Sequence, residues 1–196
     1  MFQRITRDNI KKQYAQAFLD LRNAGNALLV AVIIFLAGIL IGLNNPSWGD
    51  DLISAIKGIA RQISGEGTLL IIISIFVRNS LSAAISVISG PLLGIIPVFG
   101  AVTNGLLLGA VFSHLTAAER INAMLLLVPH GIFELPAISA AWGLGIWQGI
   151  WYFERGPKQT FRERRGKAFS IFFTIILPLL LIAATIEGIS IAIMKM

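Results

Sequence analysis

Cysteine is absent from the 196 residues, and charge is scarce. Without a thiol the chain can form no disulfide, thiolate metal site, iron–sulfur cluster or cysteine nucleophile. Charged residues make up 13% of it, about half the share of a soluble domain. Hydrophobic residues make up 56%, and the mean hydropathy is +0.79. A soluble domain must cover its core with polar surface, so this balance excludes a soluble enzyme and points to lipid as solvent. Histidine is nearly missing as well: His114 and His130 are the two candidates for imidazole chemistry. No serine-nucleophile signature, phosphate loop or nucleic-acid module is visible, and no catalytic residue is assigned. The longest polar stretch is about 25 residues, too short for a self-sufficient core. Residues 1–196 therefore read as a single membrane domain.

What the chain does contain is apolar segments long enough to span a bilayer, which needs about 20 helical residues. Five are expected: Ala27–Leu43, Thr68–Ser89, Pro91–Phe112, Ile121–Trp151 and Ala168–Met194. The fold class is thus all-α, a polytopic transmembrane bundle of about five helices. Ile121–Trp151 carries Pro129 and Pro136 and is too long for one straight crossing, so it is expected to be kinked or broken. Pro178 lies near the middle of the last span.

The 16 Lys and Arg give a net charge of +6 and set an orientation. Five fall in the N-terminal arm (Arg4, Arg7, Lys11, Lys12, Arg22) and six in the 152–167 loop. Four crossings separate these two basic segments, which places both on one side. With that side cytoplasmic, the C-terminus lies outside, as the positive-inside rule requires. The basic loop is then expected to meet anionic lipid headgroups rather than nucleic acid. The arm, 1–25, has no apolar stretch or cleavage site and is not expected to be a secretory signal peptide. Its Ile10, Tyr14, Phe18 and Leu21 share one helical face, as an interfacial amphipathic helix requires. A second such helix is expected after the capping residues Asp50 and Asp51, with Leu52, Ala55, Ile56, Ile59 and Ile63 opposite Lys57 and Arg61. Tyr152 and Trp48, Trp142, Trp147 and Trp151 are expected as aromatic anchors at the membrane surface.

The informative residues are the polar ones inside the spans: Arg78, Asn79, Asn104, His130, Glu134 and Glu187. Charged groups there are costly and face the bundle interior. At about 1.5 Å per residue all six fall in the outer half of the membrane. His130 and Glu134 stand four apart and share a helical face. Three readings are open: a structural network in which Arg78 neutralises a glutamate, a solute or proton pathway, and a metal site. The metal reading takes His130, Glu134 and His114 as ligands for zinc or another divalent metal, although His114 is expected about 10 Å nearer the surface than His130. Glycines four apart form a further pattern: Gly38/Gly42, Gly90/Gly94, Gly105/Gly109 and Gly145/Gly149. Such spacing lets helices approach closely, within one chain or across a homodimer.

Arg78–Asn79, GPLLGIIPVFGAVTNGLLLG (Gly90–Gly109), PHGIFELPA (Pro129–Ala137) and AATIEGIS (Ala183–Ser190) resemble the stage II sporulation protein M family of integral membrane proteins. The resemblance runs from about Val30 to Ser190. It implies a five-helix protein of the cell membrane that serves as a platform for peptidoglycan-remodelling partners rather than as the catalyst. It also implies that Asn79, Asn104, His130, Glu134 and Glu187 are shared polar positions. The expected function is a non-enzymatic, dimeric membrane scaffold that positions envelope- or membrane-remodelling partners. The alternatives are a small-solute or ion permease and an intramembrane metal enzyme.

Overall fold

Two apolar stretches, each with glycine every fourth residue, lie side by side in the bundle. The computed structural model describes residues 7–50, 54, 58, 67–156 and 159–194. Among them the elements are α1 (Arg7–Asn23), α2 (Gly25–Asn44), α3 (Thr68–Ile88), α4 (Ile95–Ser113), α5 (Ala117–Ile150), α6 (Phe161–Ile171) and α7 (Leu177–Met194), with short 3₁₀ turns after α2 and α5. Five helical stretches are long and apolar enough to cross a membrane, and no described residue is in a strand. The second amphipathic helix expected over 51–63 lies outside the described residues, apart from Ser54 and Gly58.

The α2–α4 seam is built from glycine. A Cβ on Gly105 would strike the Phe35 carbonyl, one on Gly109 the Ile39 carbonyl, and one on Gly42 the Leu106 carbonyl. Backbone therefore meets backbone along the whole contact, the packing that drives helix association where lipid removes the hydrophobic effect. Gly90, Gly94, Gly145 and Gly149 make a second seam, where the start of α4 meets the end of α5. All of these glycines are spent inside one chain, so a homodimer has to use another surface.

Three expected boundaries move. The span predicted from Pro91 begins at Ile95, because Ser89–Gly94 forms a turn in which Leu93 (φ 56°) and Gly94 (φ 71°) are left-handed. Of the kink or break expected at Pro129 and Pro136, the break is absent: the segment is one continuous helix of 34 residues. Each proline removes one N–H donor, yet the flanking hydrogen bonds hold the turns together. At about 51 Å, α5 extends past a bilayer core of about 30 Å. The last crossing also starts earlier than predicted. Its first turn is capped at Thr160, whose hydroxyl accepts from the Glu163 amide while the Glu163 carboxylate accepts from the Thr160 amide. The same reciprocal cap, Thr116 with Glu119, starts α5. Between α6 and α7 the helix widens to a π turn over Phe172–Ile176, just before Pro178.

The arm packs beside the basic segment. Lys167 Nζ lies 2.9 Å from Asp20 Oδ1, and Gln16 Nε2 donates to Asp20 Oδ2 at 3.1 Å. The two basic segments are thus neighbours on one side of the bundle. Along α1, Ile10, Tyr14 and Phe18 are exposed, while Leu21 packs against the core.

Candidate functional site

In the membrane half nearer the arm, α5 is packed on nearly all sides. From Ala137 to Gly149 every residue of α5 except Ser139 is buried. Trp142 and Trp147, expected as surface anchors, are core residues. Trp142 packs on Phe35 with ring centroids 5.5 Å apart, and the Arg164 guanidinium lies over Trp147 at 4.7 Å. An aromatic cluster of Trp151, Tyr152 and Phe161 takes the anchoring role at this end. Gln148, fully buried, donates to the Val87 carbonyl at 2.9 Å. The residue four beyond Val87 is Pro91, which has no N–H, so the glutamine supplies the donor that α3 lacks.

Arg164 was read as part of a lipid-facing basic loop and is instead a buried structural residue. Its Nη2 and Nη1 reach Glu154 Oε2 and Oε1 at 2.7 and 3.0 Å, and Nη1 also donates to the Trp147 carbonyl at 2.7 Å. Arg155 and Arg162 remain exposed on this side.

In the half away from the arm, the six polar residues come together. Arg78 and Asn79 of α3, Asn104 of α4, His130 and Glu134 of α5 and Glu187 of α7 all line one cavity of ≈ 520 Å³. Phe35 and Trp142 form part of its apolar wall. Asn79 Nδ2 donates to Glu134 Oε1 at 3.0 Å, and Asn104 Nδ2 donates to the Gly100 carbonyl at 2.8 Å. One ligand atom each from His130, Glu134 and Glu187 lie within 4.8 Å of one another. His130 Nδ1 is buried and has no hydrogen-bond partner among the described residues. Arg78 shares the cavity with both carboxylates. Among the described residues, however, the ion pairs closer than 4.0 Å do not include one from Arg78 to either glutamate.

The predicted ligand set needs one correction. His114 is not near His130: its Nε2 sits 3.1 Å from Asp50 Oδ1 and its Nδ1 lies 2.8 Å from the Ala110 carbonyl, at the far end of α4. Glu187, rather than His114, is the residue brought beside His130 and Glu134. The sequence offered no spacing rule that links α7 to α5, and a shared depth in the membrane was the available signal. Gln148 carried a clearer one, since Pro91 leaves a carbonyl without its helical donor.

Residues 27–190 match the family model of stage II sporulation protein M, which takes in the cavity and both glycine seams. Neither a curated protein nor a solved structure matches the chain. With five crossing helices and a family match over most of its length, the chain is a multi-pass membrane protein and belongs to the stage II sporulation protein M family.

Proposed function

We propose that this protein binds a small polar solute or ion in the membrane-embedded cavity and admits it from the half of the bilayer opposite the arm. One observation carries the reading: six polar residues from four helices, each costly in lipid, converge on a single cavity. With the arm and the 152–167 segment on the cytoplasmic side, the cavity belongs to the outer half. Its polar groups are few, convergent and set in an apolar wall, as binding sites are. Proteoliposomes loaded with a pH-sensitive or a divalent-cation-sensitive dye test the reading. Entry of protons or divalent cations is expected to exceed that into empty liposomes, and Glu134→Gln is expected to return it to the empty level. Flux unchanged in Glu134→Gln would contradict it.

A second reading is the non-enzymatic scaffold for envelope- or membrane-remodelling partners, or for a second copy of the chain. It is favoured by α1, whose exposed Ile10, Tyr14, Phe18 and Leu19 are held beside the bundle by the Asp20–Lys167 pair. A photo-crosslinker at Phe18 in native membranes is expected to trap a protein on this reading. Adducts to lipid alone would sink it.

A further inference from the structure

We infer that His130, Glu134 and Glu187 bind a divalent first-row transition metal ion. The inference rests on the cavity being a binding site and names the chemical class of its ligand. The geometry is close to what one ion needs. Ligands about 2.1 Å from a tetrahedral centre stand about 3.4 Å apart. The three ligand atoms here lie within 4.8 Å of one another, and side-chain torsions cover the difference. His130 and Glu134 come from successive turns of α5, while Glu187 comes from α7, so an ion would tie two crossings together. Helices in metal-binding bundles present ligands in this way, one turn apart on an inward face.

Charge supports the same conclusion. Two carboxylates held close together in a low-dielectric site repel unless a cation or proton stands between them. Arg78 supplies one positive charge from beyond contact distance, and a metal ion between the carboxylates would balance the second. Asn79 donates to Glu134 Oε1 and so orients the carboxylate while leaving Oε2 free, the role outer hydrogen-bond partners play around metal ligands. The donor set itself, one imidazole nitrogen and two carboxylate oxygens, is neither the all-oxygen cage of calcium or magnesium nor a thiolate site. It suits Zn²⁺, Mn²⁺ or Fe²⁺.

The test uses the full chain, purified in detergent, stripped with a chelator, then equilibrated with Zn²⁺ or Mn²⁺ and desalted. Metal content by mass spectrometry is expected to be about one ion per chain in the wild type and in His114→Ala. It is expected to fall by about tenfold or more in His130→Ala and Glu187→Gln. Glu187→Asp, which keeps a carboxylate, is expected to retain metal and shows that loss in Glu187→Gln is not misfolding. A wild type that holds neither ion, or equal metal in wild type, His130→Ala and Glu187→Gln, overturns the inference. If metal binding fails while flux still depends on Glu134, the cavity reading stands and its ligand is not a transition metal. If both fail, the cavity reading falls too.

Discussion

The two halves of α5 are made from one continuous helix and face opposite demands. From Ala137 to Gly149 it is the buried axis of the bundle, and from Ala117 to Pro136 only Gly131 is buried. In the first half glycine, alanine and tryptophan fill space against the neighbouring helices, and the one buried polar side chain, Gln148, has a backbone partner. In the second, His130 and Glu134 face a cavity, and Ile121, Leu125 and Ile132 are left to lipid. A stretch buried along nearly its whole length has stability to lose. A half with a polar cavity has little packing to lose, so substitutions there change binding before they change folding.

The largest contrast should come from the same substitution made in each half. A Cβ on Gly145 would collide with Pro97 and with the Ser86 carbonyl, forcing three helices apart. Gly145→Ala is expected to cost about 3 kcal/mol or to abolish the folded state, read as thermal stability in detergent. Arg164→Ala comes next. It strips Glu154 and the Trp147 carbonyl of a buried guanidinium, and a loss of about 2–3 kcal/mol is expected. Arg164→Lys should recover little of that, because an ammonium cannot reproduce the two-pronged contact. Gln148→Leu leaves the Val87 carbonyl without a donor and is expected to cost about 1–2 kcal/mol. Gly131→Ala lies at the other end of the scale. Its Cβ would meet only Leu127 and Leu135 at 3.8 and 3.9 Å, so it should raise stability by about 0.5–1 kcal/mol through the helix preference of alanine. A Gly131→Ala variant as unstable as Gly145→Ala would erase the difference between the halves.

Composition and periodicity were enough to read the spans, because a bilayer imposes one length and one polarity on every crossing. Positions 90 to 94 misled the reading for a physical reason: Pro91–Gly94 is as apolar as a span, and only its left-handed backbone makes it a turn. Proline misled it in the opposite direction at Pro129 and Pro136, where the surrounding hydrogen bonds carry α5 through. Depth grouped the six polar residues correctly but could not choose among them. His114 and Glu187 differ in which helix faces which, and that is a property of packing rather than of local sequence. Arg164 resembled its solvated neighbours because nothing local distinguishes a basic residue that caps a core from one that meets lipid headgroups.

The absence of cysteine makes the central claim directly measurable, since any introduced thiol is the sole reporter. That claim is a polar cavity open to water in one membrane half and a packed core around Ala137–Gly149 in the other. Asn104→Cys, in membranes treated with a hydrophilic thiol reagent, is predicted to label fast, while Ala141→Cys in the packed half and Leu125→Cys on the lipid side stay unlabelled. Asn104→Cys as unreactive as Ala141→Cys would contradict the account.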